Sequence, residues 1–584
     1  MRVNHRLLAS AAVAAFAVAT GTLACSSSSP GAGASDDASD NTLDGSMNSP
    51  TPDGGIDAST DAGGPDGATT AAPALTALSV TAAAGADASA LGLVPAFSPT
   101  IHDYYVRCAA GTNVLTVAMT ASDGAESALS QPSATPAARA QTQTVSVTES
   151  AAIVAVATAG STSTEYWVRC LPHDFPQLEM NVHPDAGVAT PGYYLAGNLM
   201  ANASAGYAMV LDGNGVPVWY YAMAAGLGVV DVDDVVPGAL SFVAYSATQV
   251  EPFVVHASSP ASVTTIAPDG YATDDHELRL LSNGNYLVIS YPLKAGVDLT
   301  GLTVPATGDA GAYTPGPNST IQDCAIVEFA PSGTVVSTWL ASDHFDPVKD
   351  STLPLTGFGA GSTAADGGVA YDVFHCNSID VDPANGNLLV SAREMDSIFY
   401  VDRPTGKVLW KMGGATASLD DAAYVAVSDP FFRQHDARLQ PGWSPSCNGG
   451  RGQISLFDDE TEASGPARGV VYDVVVGGSD GGAADCDGGT AVDGGTPGQA
   501  TVAWQYKGAL SVAATGSFRI SADGSRVIGW GFGGAPDLAF TEVDVNGNDL
   551  LDFRFPDGNS TYRAIKVPSS TFDLGALRSA VTAP

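Results

Sequence analysis

A chain of 584 residues with a formal net charge of −38 is too long for one ordinary core and too acidic to hold nucleic acid or anionic lipid through its overall field. Gly (65) and Pro (36) are plentiful, charged residues make up 14%, and long amphipathic helical patterns are missing, so the composition excludes a helical bundle and predicts an all-β protein. Any anionic ligand must then be drawn by a local cluster of donors.

Residues 1–24 read as a signal peptide: Arg2 and Arg6 precede an apolar segment from Leu7 to Ala24. The segment ends Thr22-Leu23-Ala24-Cys25, which resembles a bacterial lipoprotein cleavage site. Cys25 is therefore expected to carry a lipid anchor, with ordinary cleavage and free secretion as the alternative. No other apolar run is long enough to span a bilayer. The expected location is the cell envelope, as an outer-membrane-anchored lipoprotein facing the periplasm or the cell surface. Residues 25–73 are Ser, Asp, Gly, Ala and Pro, which cannot bury a core and predict a disordered tether.

Residues 74–172 change pattern. ALTALSVTAA, NVLTVAMTAS, TQTVSVTES and EYWVRC read as short strands, and the segment resembles the cadherin-like β-sandwich modules of bacterial surface proteins. Cys108 and Cys170 each close an aromatic strand and are expected to pair. Cys447 and Cys486 lie in Gly-rich loops and could staple them, which leaves Cys324 with Cys376. No CxxC is present to suggest zinc.

From 173 to 584 one theme recurs: an apolar strand, an Asn/Asp-Gly turn, a second strand, then a strand ending in an aromatic residue. The copies include YYLAGNLM, HELRLLSNGNYLVISY, HCNSIDVDPANGNLLVSAR, QHDARL with GQISLFDDE, and TGSFRISADGSRVIGWG. Six such units predict a six-bladed β-propeller, with STYRAIKV left over to add a strand to the first blade. The Trp residues of the outer strands are expected to pack between blades.

Three histidines, His276, His375 and His435, open the first strand of a blade and should converge at one channel mouth. Arg393 ends the second strand of the hairpin that His375 begins, and Asn377, two residues on, should share that histidine's side of the strand. The sixth blade places Thr515 or Gly516 at the equivalent position. A lone histidine would be read as a satisfied structural residue. Three at equivalent positions can be a metal site, but a guanidinium cannot ligate and repels a cation. Three imidazoles and an Arg fit a tetrahedral anion better, and no metal is expected.

These residues resemble the bacterial arylsulfate sulfotransferases, which work without a nucleotide sulfate donor; the similarity covers about residues 175–567. It implies a six-bladed propeller, no cofactor, a transient sulfohistidine at His435, and supporting site positions at His276, His375, Asn377, Arg393 and Thr515. The implied reaction is ping-pong transfer of a sulfuryl group from an aryl sulfate to a phenol. His375 or His276 would protonate the leaving oxygen, and Asp436 or Asp458 would orient the His435 imidazole. A homodimer stays open. The rival reading is a non-catalytic surface propeller that binds sulfated aromatics or glycans.

Overall fold

The computed structural model describes residues 72–581 apart from 84–90, 200–204, 247–248, 259–260, 304–313, 353–354, 357–367, 446–448, 462–464, 478–497 and 533–536. The signal peptide, Cys25, and the suggested Cys447–Cys486 pair lie outside the described residues. Within them the chain is almost wholly β.

The first unit is two facing sheets. One pairs Leu75–Ala82, Thr112–Ala121 and Ala140–Thr148; the other pairs Asp103–Arg107, Thr162–Leu171, Ala152–Ala159 and Glu126–Gln131. Thr112–Ala121 alternates buried and exposed side chains, as a strand with one wet face must. Leu78, Val117, Leu129 and Val168 meet between the sheets, beside a Cys108–Cys170 disulfide.

After it, among the described residues, come six sheets built on runs of four antiparallel strands, the fourth and fifth bridged into one nine-stranded sheet by Ala423–Val427, which pairs parallel to both. The first uses Gly192–Gly197, Tyr207–Leu211 and Pro217–Ala222, with Ala564–Pro568 as its innermost strand. The innermost strands of the second to sixth are Gly228–Asp233, Leu278–Leu280, Cys376–Val381, His435–Leu439 and Ser517–Ile520. Glu179–Val182 adds an outer strand to the sixth sheet. Middle strands such as Leu388–Ala392 and Ser397–Val401 are buried at every position, because both faces of the sheet are covered.

Each sheet shares an apolar cluster with the next, and the sixth shares one with the first. Trp219 and Val210 meet Leu240 and Phe242; Val243 and Phe253 meet Leu278 and Val288. Ile289 meets Val390, Tyr400 meets Tyr472, Phe457 meets Phe518, and Phe540 meets Tyr194. Sheets joined in this order form a closed ring, the arrangement of a β-propeller. Full burial of one such side chain stabilises by about 1.5–3 kcal/mol, so the inter-sheet clusters dominate the ring's stability. The Trp residues pack as expected: Trp410 stacks on Tyr400, and Trp504 stacks on Phe518 of the following sheet.

Two departures from the simple repeat shape the site. The third sheet is interrupted after Tyr286–Ser290 by Leu293–Val297 and Ser319–Gln322, which form a small extra sheet with Leu355–Thr356 and Ala370–Asp372 from the link to the fourth sheet. A Cys324–Cys376 disulfide joins the region after this insertion to the start of the fourth sheet. In addition, the innermost strands Cys376–Val381 and His435–Leu439 shift register from their first residues, and Gly228–Asp233 does so between Val230 and Asp233. Such bulges re-aim side chains at the rim.

Candidate active site

The innermost strands all begin at one end of the ring, and the residues just ahead of or opening them line a cavity of about 390 Å³. His276, His375 and His435 line it together with Arg393, Thr515 and Tyr562. The ring centres of His276 and His375 are 5.1 Å apart, and those of His276 and His435 are 6.1 Å apart. Residues more than 150 positions apart in the chain thus face one space because the repeat sets them at equivalent places.

Each histidine is anchored through Nδ1 by a carboxylate. His375 Nδ1 lies 2.5 Å from Asp372 Oδ2, His435 Nδ1 lies 3.0 Å from Asp459 Oδ1, and His276 Nδ1 bonds Asp274. The ring's other nitrogen, Nε2, is the one left to the cavity chemistry for His276 and His435. The electrostatics separate the three. Burial lowers His375, but Asp372 outweighs it and holds the imidazole above its usual value. Burial pushes His276 down to about 4, helped by His375 and Arg563. Burial, followed by His276 and Arg393, holds His435 well below the usual range, and burial likewise pushes Asp459 far up. His435 is therefore a neutral imidazole at neutral pH, beside a His375 that keeps its proton more readily.

Arg393 follows the strand Leu388–Ala392 in a short 3₁₀ turn, Arg393–Met395. Its backbone N–H donates to the His375 carbonyl at 2.8 Å, which locks the two residues together. Its guanidinium donates to Glu394 and, at 2.8 Å, to the Ala513 carbonyl; Nε is buried with no partner among the described residues. Thr515 Oγ1 and Tyr562 Oη, both lining the cavity, are also buried without a partner. Unpaired buried donors are rare and costly, and here they converge on one space. Both His375 (φ 50°) and Thr515 (φ 67°) hold left-handed backbone conformations, unusual for branched or bulky side chains.

Residues 262–477 match the family model described as Arylsulfotransferase (ASST). Over this stretch the chain is similar to the arylsulfotransferase family. The matched residues run through the third, fourth and fifth sheets and include all three histidines and Arg393. The match supports arylsulfotransferase activity in general. No curated protein matches the chain. Among solved structures, a protein of unknown function from Bacteroides caccae is similar at 12% identity and a TM-score of 0.32, covering 65% of this chain and 99% of that one. An auxiliary nutrient binding protein from Bacteroides thetaiotaomicron VPI-5482 is similar at 10% identity and a TM-score of 0.28, covering 76% and 95%. Neither bears on the site at that distance.

Two expectations for the site are corrected. Asn377 does not line the cavity. The left-handed turn at His375 and the register shift after Cys376 break the alternation that would have kept the two side chains together. Asn377 is fully buried and donates from Nδ2 to the Gln434 carbonyl at 2.6 Å, so it holds the chain leading into His435. The partner of His435 is Asp459, not Asp436 or Asp458. Asp436 bonds Arg438 and Arg519, and Asp458 bonds Arg468.

The sequence reading missed Tyr562. It precedes the innermost strand of the first sheet, the place the histidines take in the third and fourth sheets, and its ring centre lies 5.6 Å from His276 and 6.4 Å from His435. Its signal was present in STYRAIKV, but only the strand's position inside the first sheet gives the tyrosine a role. Beneath the cavity the axis is filled by ions. Buried Arg563 bonds Asp231 and Glu277, and Arg438 bridges Glu277 and Asp436. Asp231, Asp233 and Glu277 could by geometry ligate a cation, but Arg563, Arg519 and Arg279 already face them. Asp274, Asp275 and His276 form a second set of close ligand atoms.

Proposed function

We propose that the protein is an arylsulfate sulfotransferase that carries a sulfuryl group on His435 between an aryl sulfate and a phenol. The observation that carries this reading is the cavity in which three carboxylate-anchored histidines meet Arg393. The family match supports the general activity; the covalent route is our own reading of the electrostatics.

In the first half-reaction the aryl sulfate is held by Arg393, whose guanidinium is kept charged by Glu394 and then Asp459 although burial works against it. Thr515 and Tyr562 offer hydroxyl donors to the remaining sulfuryl oxygens. In the reactive tautomer His435 Nδ1–H donates to the Asp459 carboxyl oxygen, and the Nε2 lone pair attacks sulfur. The N–S bond forms, the aryl S–O bond breaks, and its electron pair goes to the aryl oxygen. His375, the imidazole held above its usual value, gives that oxygen its proton. In the second half the acceptor phenol returns a proton to His375, its oxygen bonds sulfur, and the N–S electron pair goes back to His435. Asp459 holds the ring by its Nδ1 side while the sulfuryl group is on Nε2.

The two disulfides suggest an extracytoplasmic compartment, and among the described residues no helix is long and apolar enough to cross a membrane. Attachment through a lipidated Cys25 belongs to the same proposal.

The deciding assay is release of p-nitrophenol from p-nitrophenyl sulfate with and without added phenol. Release that depends on phenol, with phenyl sulfate formed, is expected. Release into water alone would make the protein a sulfatase. Binding of the aryl sulfate with no release would make it a binding module.

A further inference from the structure

The three histidines are not equivalently supplied with carboxylates. Asp372 serves His375 and Asp459 serves His435, one each, whereas His276 has both Asp274 and Asp275. Asp274 takes Nδ1, and Asp275 lies 3.5 Å from the same nitrogen, which has no second proton to give. Asp275 is thus surplus to positioning. It lines the cavity, with its side chain 17% exposed against 7% for Asp274. Among the described residues neither carboxylate has a Lys or Arg within ion-pair distance, and the His276 imidazole beside them is neutral. Burial, then Asp274, push Asp275 up to about 7, as expected of a carboxyl hydrogen-bonded to a second carboxyl.

A carboxyl pair with no Lys or Arg beside it among the described residues is an odd fitting in a cavity that admits an anionic sulfate, unless something cationic comes with the other substrate. A second observation points the same way. Gln322, 3% exposed, lines the same cavity, and its Oε1 is buried with no partner among the described residues. Its strand neighbour across the extra sheet is Asp372. Tyr245, also lining the cavity, feels both carboxylates: burial first, then Asp275 and Asp274, push its hydroxyl up to about 12. Carboxylate oxygens, an amide oxygen and an aromatic ring are the groups that receive a primary ammonium, whose N–H bonds need acceptors and whose charge favours a ring face.

We propose that Asp275, with Asp274, Gln322 and Tyr245, forms an ammonium subsite, so that the preferred acceptors are phenols bearing a protonated amine. The word acceptor rests on the sulfuryl-transfer reading; the binding preference does not. The full chain is titrated calorimetrically with three phenols of one shape: tyramine, 4-ethylphenol and 3-(4-hydroxyphenyl)propionate. Tyramine is expected to bind about tenfold or more tighter than 4-ethylphenol, the scale of one charge-assisted hydrogen bond, and the propionate weakest. D275N and Q322L should each narrow the tyramine advantage while 4-ethylphenol binding persists, which also reports that the variants fold. Should a variant fail to fold, the ranking in the unaltered protein decides alone. Equal affinity for tyramine and 4-ethylphenol overturns the subsite, as does an equal loss of all three ligands in D275N. Binding of Mg²⁺ or Ca²⁺ alone that displaces tyramine would overturn it too, by giving the carboxylates to a metal. If the ranking holds but no acceptor-dependent release is seen, the transferase reading fails and the subsite stands.

Discussion

At the scale of single residues, the cavity separates one neutral imidazole from one that keeps its proton more readily, and that difference is testable. His435→Ala should abolish phenol-dependent release while p-nitrophenyl sulfate still binds; turnover that survives in this variant would sink the sulfohistidine. Asp459→Asn should leave the ring in place but favour the wrong tautomer, cutting kcat by on the order of 10²–10⁴ with little change in KM. The pH profile follows from His375. Its proton is needed to release the aryl oxygen, and its folded value lies above the usual 6.5, so kcat/KM should fall as pH rises through that raised value. Asp372→Asn removes the chief group that raises it, so the falling limb should move to lower pH; a limb that stays put would assign the acid elsewhere. Much of this site was legible beforehand. His276, His375 and His435 stand at matching places in strings such as HELRLLSNGNYLV and QHDARL, and repetition carries that information without coordinates. Which acid serves His435 was not legible, because Asp458, Asp459 and Glu460 follow one another and only the end of the strand Arg451–Asp458 selects Asp459.

At the scale of elements, the strand that begins at Cys376 is fixed from two sides. The disulfide to Cys324 ties its first residue to the region after the extra sheet, and Tyr291 Oη donates to the Cys376 carbonyl. Replacing both cysteines by alanine should lower stability by about 2–4 kcal/mol, given the 52-residue separation of the pair, as read from urea unfolding midpoints. Transfer activity should fall under milder urea than the unfolding itself, because His375 is the neighbour of the released cysteine. Activity and fluorescence curves that coincide would place the disulfide's role in global stability alone. The extra sheet was hidden in the sequence. Its strands are short, Ala370–Asp372 having three residues, and stretches without a period separate them, so no alternation marks them as paired. The hairpin strands Cys376–Val381 and Leu388–Ala392, by contrast, were announced by the Asp-Pro-Ala-Asn-Gly-Asn turn between them. The same reading placed Asn377 on the cavity side, since alternation alone knows nothing of a left-handed residue at 375.

At the scale of the whole molecule, the ring is held by apolar clusters between sheets and by Arg563 at its axis. Arg563 is fully buried, comes from the chain leading into the first sheet, and reaches Asp231 of the second and Glu277 at the third. Arg563→Met would leave those carboxylates buried and under-paired. A loss of about 3–5 kcal/mol is expected in urea unfolding, with the pairs to Arg438 and Arg519 limiting the damage. A change below 1 kcal/mol would show that the axial ions are interchangeable. The ring's closure also sets an order of events during synthesis. Arg563 and Asp231 are 332 residues apart, and Tyr562 and Thr515 reach the cavity only when the late strand Ala564–Pro568 slots in beside Gly192–Gly197. A nascent or clipped chain that stops short of that strand has its histidines but no finished chamber around them. The chamber is therefore finished only when the last strand has closed the ring, so its completion comes late in synthesis.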